Sequence, residues 1–155
     1  MDETAHLTTK FISFVVENNV MYKFDKNAHS VYTLNYHLVQ CIKYRKKILG
    51  NEKIVEELKS RTQNIATAYG VKILSMEPDM DHVHILFTAK PQTPLIKFIN
   101  NWKSSTAKAI KNRYPELEKI LWNGKFWSDS YCLITTGQTT LEQVRQYVEN
   151  QGDLK

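Results

Sequence analysis

Two histidines spaced two residues apart, His82 and His84, are the side chains of this sequence best suited to bind a cation. Consecutive side chains of a β-strand point to opposite faces, so both imidazoles would share one face. Val83, Ile85 and Phe87 would share the other face, and their apolar character predicts that it packs in a core. Imidazole nitrogens are common ligands of divalent metals. Such a pair also occurs as an ordinary polar pair that faces solvent. Other features of the sequence are therefore needed to distinguish a metal-ligand pair from a surface pair.

A tyrosine near the C-terminus is the second candidate for chemistry. Tyr147 and Gln151 are four residues apart, within a helix that the capping box Thr139-x-x-Glu142 opens and that we expect to end near Gln151. A phenol can act as a nucleophile, and an amide oxygen can act as a neutral metal ligand. A tyrosine on an amphipathic helix is more often a packing residue. The apolar positions expected to dock this helix on a sheet are Leu141, Val144 and Val148.

Composition favours one globular domain that works on a polyanion. The chain has 155 residues, of which 42% are hydrophobic and 24% charged, with a net charge of +5 and a pI of about 9.1. A modest positive excess favours a partner such as nucleic acid without establishing one. Two cysteines exclude a disulfide framework or a cysteine-rich zinc site and suit a reducing cytoplasm. No apolar run approaches the ~20 residues needed to span a membrane.

The hydrophobic periodicity predicts an α+β domain over residues 21–155, preceded by an N-terminal extension over residues 1–20. The expected elements alternate as β-α-β-β-α-β-α: strand 31–42, helix 51–69, strand 71–76, the histidine strand, helix 95–113, strand 126–136 and helix 139–151. Thr93 followed by Pro94 predicts the cap of the second helix. The first six elements match a ferredoxin-like or RRM-like antiparallel sheet with helices on one face. His82 and His84 would then lie on the open face, beside the C-terminal helix.

A basic segment follows the first predicted strand. It consists of Lys43, Tyr44, Arg45, Lys46 and Lys47. On composition alone it is either a solvated loop or a phosphate-binding segment in which Tyr44 stacks on a base.

These motifs together resemble the single-tyrosine HUH transposases (TnpA type) of small prokaryotic insertion sequences, over about residues 29–151. Four groups of segments carry the resemblance: Tyr36-His37-Leu38-Val39 with Lys43-Tyr44-Arg45, Asp81-His82-Val83-His84, 121–127 with Ser130-Tyr131-Cys132, and Tyr147-Val148-Glu149-Asn150-Gln151. Their order and spacing are far more specific than any one group. The chain departs from the family at Gln40, where a tryptophan is usual, and in its N-terminal extension.

The resemblance implies a metal-dependent enzyme that cleaves and rejoins single-stranded DNA at hairpin-bearing insertion-sequence ends. It implies that His82, His84 and Gln151 bind Mg²⁺ or Mn²⁺, and that Tyr147, on a catalytic C-terminal helix, forms a 5′-phosphotyrosine intermediate. Segment 43–47 would contact the DNA hairpins. A cytoplasmic homodimer is expected, with Tyr147 acting within one subunit or across two.

Two other functions compete with this interpretation. The same fold could recognise nucleic-acid hairpins as a regulator with a vestigial site, or it could be a metal-binding or dimerising domain with no nucleic-acid role. The intact set of His82, His84, Tyr147 and Gln151 argues against the regulator. The basic charge argues mildly against the third function.

Overall fold

The computed structural model of the chain describes residues 25–26, 31–32, 34–135 and 148–150. The extension predicted at residues 1–20 lies outside the described residues. So do Tyr147, Gln151 and the Thr139 capping box.

A four-stranded antiparallel sheet is the centre of the fold. A short antiparallel pair precedes it, made of β1 (Asp25–Lys26) and β2 (Val31–Tyr32). The main sheet contains β3 (Asn35–Cys41), β4 (Lys72–Pro78), β5 (His82–Thr88) and β6 (Cys132–Thr135). Its strand order is β4-β5-β3-β6, and every neighbouring pair is antiparallel. This order confirms the predicted ferredoxin-like α+β fold.

Two helices connect the strands and pack together. α1 spans Glu52–Ala68 and α2 spans Leu95–Arg113. The Asn51 side chain caps α1 by accepting hydrogen bonds from the next backbone amides, at 3.0 and 3.4 Å. Gly70 follows the end of α1 with a φ of +67°, the left-handed conformation that glycine adopts most readily. None of the helices in the described residues is long and apolar enough to cross a membrane.

The predicted threonine cap of α2 is wrong. The residue at the cap position is Pro94, which makes no side-chain hydrogen bond there. The Thr93 hydroxyl instead accepts from the Lys90 amide at 3.0 Å and donates to the Tyr69 carbonyl at 3.5 Å. It therefore closes the preceding turn and ties that turn to the end of α1.

The strand register separates a helix face from a second face of the sheet. Val83, Ile85 and Phe87 of β5 are buried in the hydrophobic core, as their spacing predicted. Phe98 and Trp102 of α2 belong to the same core cluster. The face of the sheet that packs on the helices therefore forms the hydrophobic core, and the opposite face carries a different set of side chains.

The segment before β6 is held by side chains more than by strand pairing. The strand predicted over residues 126–136 is limited to Cys132–Thr135, with one isolated bridge between Ile42 and Trp127. The buried Gln40 amide donates to the carbonyls of Ser128 and Ser130 at 3.0 and 3.1 Å. The residue that departs from the family pattern thus has a packing role inside the protein.

Candidate metal and nucleic-acid site

The second face of the sheet carries both histidines of the motif, and we call it the histidine face. Its residues are His37, Val39, Cys41, His82, His84, Leu86, Cys132 and Ile134. The predicted alternation along β5 is confirmed, since Val39 lies opposite His84 and Cys41 opposite His82. The imidazoles are nevertheless not open to solvent: His82 is 0% exposed and His84 2%.

His82 has one ring nitrogen engaged and one suited to a ligand. Its Nδ1 lies 2.7 Å from Oδ1 of Asp81. Its Nε2 is buried and makes no hydrogen bond in the described part of the chain. A carboxylate that accepts from one ring nitrogen fixes the tautomer and leaves the other nitrogen with its lone pair, as in many metal sites.

His84 is oriented by another histidine, His37. Nδ1 of His84 lies 2.9 Å from Nε2 of His37. Burial lowers the pKa of His37 to about 4. Burial, with smaller contributions from the charges of His37 and His82, holds the pKa of His84 well below its ordinary value. Both rings are therefore neutral at pH 7, and a tautomer in which His84 donates from Nδ1 leaves its Nε2 as an acceptor, the form in which an imidazole can bind a metal.

Asp81 links the histidine face to the basic segment. Its Oδ2 accepts from Nε of Arg45 at 2.9 Å, while its Oδ1 is bonded to His82. Burial by itself would raise the pKa of Asp81, but the hydrogen bond and charge of His82, together with Arg45, lower it below its ordinary value. Asp81 is thus a carboxylate at neutral pH with both oxygens used.

A carboxylate that the sequence analysis missed, Asp79, lies near the Nε2 atom of His82. Oδ2 of Asp79 lies 4.0 Å from Nε2 of His82. Ligand atoms of Asp79, Asp81 and His82 all lie within 4.8 Å of one another. The gap of 4.0 Å can be bridged by two bonds of about 2.1 Å to one ion. The residues present therefore fit a divalent cation, and the signal in the sequence was the pair of aspartates that precedes the histidine strand.

The basic segment is divided between internal ion pairs and solvent. Lys43 is buried and pairs with Asp129 at 3.2 Å, and Arg45 pairs with Asp81. Lys46 and Lys47 are exposed, so they are the cations of this segment that face solvent. A DNA contact by the segment stays a prediction.

The C-terminal segment reaches the histidine face at Val148. This side chain is 0% exposed and packs against Val39, with Cys132 and Ile134 at the edge of the same cluster. Val39 is the cross-strand partner of His84. The predicted docking of the last helix on the sheet is therefore confirmed at Val148; Leu141, Val144, Tyr147 and Gln151 lie outside the described residues.

Comparison with known proteins gives consistent sequence matches. The family described as "Transposase IS200 like" matches residues 30–151. The chain is 38% identical to the ISDra2 transposase TnpA of Deinococcus radiodurans over 128 residues, which cover 83% of this chain and 91% of that protein. It is 26% identical to the transposase for insertion sequence element IS200 of Salmonella typhimurium over 124 residues, 80% of each chain.

Solved structures agree with the sequence matches. A crystal structure of a candidate transposase from Deinococcus radiodurans superposes with a TM-score of 0.75 at 35% identity, covering 82% of this chain and 97% of that one. A REP-associated tyrosine transposase bound to a REP hairpin shares the fold, with a TM-score of 0.51 at 12% identity, over 80% and 69% of the two chains. The chain therefore belongs to the IS200-like transposases, a family that cleaves and transfers DNA and generally depends on a metal.

Proposed function

We propose that this protein is a divalent-metal-dependent transposase that cleaves and rejoins single-stranded DNA at hairpin-bearing insertion-sequence ends. The observation that carries the proposal is that each of the two neighbouring imidazoles is held by another side chain at its Nδ1 atom. Asp81 bonds Nδ1 of His82, and His37 bonds Nδ1 of His84. Two buried imidazoles, each held in orientation by a partner at its Nδ1, are typical of a metal site and not of a surface pair.

His82 and His84 would hold the metal, with Gln151 as a third ligand by family resemblance. Asp79 is an anionic donor within reach of His82. Bound Mg²⁺ or Mn²⁺ would draw negative charge from the scissile phosphate and its leaving oxygen. The protein's own contribution is to hold both imidazoles in orientation before DNA arrives, and the partners of their Nδ1 atoms, Asp81 and His37, support this.

Tyr147 would supply the nucleophile. Its phenol oxygen loses a proton and attacks phosphorus, the bond to the 3′-oxygen breaks, and a 5′-phosphotyrosine and a free 3′-hydroxyl result. The 3′-hydroxyl of another end can then attack this linkage, release the tyrosine and join the strands without an external energy source. Burial of Val148 beside the strand partner of His84 supports a role for the C-terminal segment at this face.

Recognition of the DNA would depend on structure as well as charge. Exposed Lys46 and Lys47 are available to contact phosphates. The structural neighbour described as bound to a REP hairpin supports a hairpin substrate for this fold. We propose a homodimer as the active form, in keeping with the family resemblance.

A covalent-adduct assay tests this function. The protein is incubated with a labelled single-stranded hairpin and Mg²⁺ or Mn²⁺, and adducts that survive denaturant are counted on a gel. We expect Tyr147→Phe to abolish the adduct while hairpin binding persists.

An adduct that persists in Tyr147→Phe would reassign the nucleophile. Cleavage that is unchanged in saturating chelator would refute the metal's role. Wild-type protein that binds the hairpin but never forms an adduct would instead identify a hairpin-binding regulator.

A further inference from the structure

A cleft outside the metal site lies between the turn Lys43–Arg45 and the turn Trp122–Gly124. Its volume is about 480 Å³. The residues that line it are Tyr44, Lys46, Lys119, Ile120, Leu121, Trp122 and Asn123. Much of this lining comes from the segment 121–127, which the proposed chemistry does not use.

An exposed indole dominates the cleft. Trp122 is 58% exposed, whereas the other two tryptophans, Trp102 and Trp127, are 1% and 5% exposed. The ring of Tyr44 meets Trp122 edge to face, with centroids 5.8 Å apart and an interplanar angle of 89°. The tyrosine thus positions the indole, and more than half of Trp122 stays available to a ligand. Large exposed aromatic side chains grouped in a concave surface indicate a binding site.

The backbone around the cleft is held in a conformation that few residues adopt. Among the residues that the structure describes, the non-glycine positions with positive φ are Tyr44 at 57°, Arg45 at 51° and Asn123 at 54°. Tyr44 and Asn123 line the cleft, and Arg45 is anchored by its 2.9 Å bond to Asp81. Strained backbone of this kind persists where the surroundings enforce it and is concentrated at binding and catalytic sites.

The charge of the cleft points to a nucleic acid. Lys46 and Lys119 line it and are exposed, and none of its lining residues in the described part of the chain carries a carboxylate. Nζ of Lys43 lies 5.4 Å from the Tyr44 ring centroid, which adds positive potential behind the aromatic pair. Stacking aromatic rings beside a cationic track are the features by which proteins hold single strands.

We propose that this cleft binds one unpaired base of single-stranded DNA, which stacks on Trp122 while Lys46 and Lys119 contact the flanking phosphates. The inference rests on the proposed function for its substrate class. Arg45 follows Tyr44 and is bonded to Asp81, which is bonded to His82. A strand held in the cleft would therefore lie beside the residues that support the metal site.

Trp122 provides a direct test because it is the exposed tryptophan of the three. The full-length protein is titrated in EDTA with an oligothymidylate of about 10 nucleotides, a length within the range of single-strand sites. We expect the tryptophan fluorescence to be quenched on binding. Trp122→Ala should remove the quenching and weaken binding about 5- to 150-fold, the range measured for loss of one stacked base. Trp122→Phe should lose the signal but keep most of the affinity, measured by anisotropy of a labelled oligonucleotide.

Two comparisons make the outcome decisive. Ile96→Ala removes another exposed apolar side chain, 69% exposed on α2, and should bind like wild type. An oligonucleotide of the same length without bases should bind the wild type as weakly as the thymidylate binds Trp122→Ala. Equal affinity for the two oligonucleotides, or unchanged binding by Trp122→Ala, would overturn the proposal. Since the titration contains no metal and no cleavage, it can succeed when the adduct assay fails, and the adduct assay can succeed when it fails.

Discussion

At the scale of single residues, two side chains, Asp81 and His37, hold the histidines of the candidate site in orientation. The strand alternation places His82 and His84 on one face from sequence alone, because a period of two needs no tertiary information. His37 could not be assigned in this way, since it is 47 residues from His84 in the chain. It becomes a neighbour because β3 and β5 pair in a register that sets His37 opposite Leu86, diagonal to His84.

The first prediction concerns the carboxylate that orients His82. Asp81→Asn keeps the shape of the side chain but removes the charge that fixes the His82 tautomer. We expect affinity for Mn²⁺ to fall about 10- to 100-fold, the usual loss when such a supporting partner is changed. Isothermal titration measures this directly. Asp129→Asn is the matched control, because it also breaks an ion pair, with Lys43, but its own side chain is 74% exposed. Equal losses in the two variants would contradict a specific role for Asp81.

The second prediction concerns pH and His37. Because burial lowers its pKa from 6.5 to about 4, the unfolded chain binds a proton between these values more readily than the folded protein does. Proton binding by the unfolded chain therefore lowers the free energy of unfolding as the pH falls from 6.5 towards 4. At pH 5 the loss relative to pH 7 is about 2 kcal/mol. Urea unfolding of the metal-free protein at pH 7 and pH 5 measures the loss. His37→Gln cannot gain this proton, so its loss should be smaller by about that amount. An equal loss in both proteins would show that His37 is not the group responsible.

At the scale of elements, the helices were easier to predict than the last strand. Apolar residues at helical spacing placed the second helix at residues 95–113, and α2 spans Leu95–Arg113. The segment before β6 read as strand because it is rich in aromatic residues, but the ring of Trp127 packs on α2. Trp127 stacks on Trp102 with centroids 5.0 Å apart. Periodicity cannot show this, since the contact depends on where α2 lies in space.

The third prediction tests the hydrogen bond that fixes that segment. Nε1 of Trp127 donates to the buried Oγ1 of Thr106 at 2.9 Å. Thr106→Val keeps the shape but leaves the buried indole N–H without an acceptor, so the free energy of unfolding should fall by about 1–3 kcal/mol. Thr67→Val is the control. The Thr106 hydroxyl also donates to the carbonyl four residues earlier, at 2.6 Å, and the Thr67 hydroxyl makes the equivalent bond at 2.9 Å but is exposed and accepts no indole N–H in the described residues. Urea denaturation of both variants decides; a loss no larger in Thr106→Val than in Thr67→Val would contradict the role of this bond.

At the scale of the whole molecule, the two faces of the sheet have different roles: one forms the hydrophobic core and the other carries the candidate site. The helix face holds the core, and the histidine face holds His82 and His84, the proposed metal ligands, and receives the C-terminal segment at Val148. The sequence predicted this division from two independent patterns, the alternation in β5 and the apolar stripe of the last helix. It could not show which sheet residue the stripe meets, because docking depends on shape and not on periodicity.

The fourth prediction tests whether docking at Val148 is needed for DNA cleavage. Val148 is fully buried against Val39, so Val148→Asp would place an unpaired carboxylate in an apolar contact, which is strongly unfavourable. The docked state should become a minor population, and the yield of covalent DNA adduct should fall more than tenfold while hairpin binding persists. Asn150→Asp adds the same charge at an exposed position two residues later and should keep wild-type adduct yield. Thermal unfolding of both variants establishes that the domain still folds. Wild-type adduct yield from a folded Val148→Asp protein would contradict a requirement for docking at Val148 in DNA cleavage.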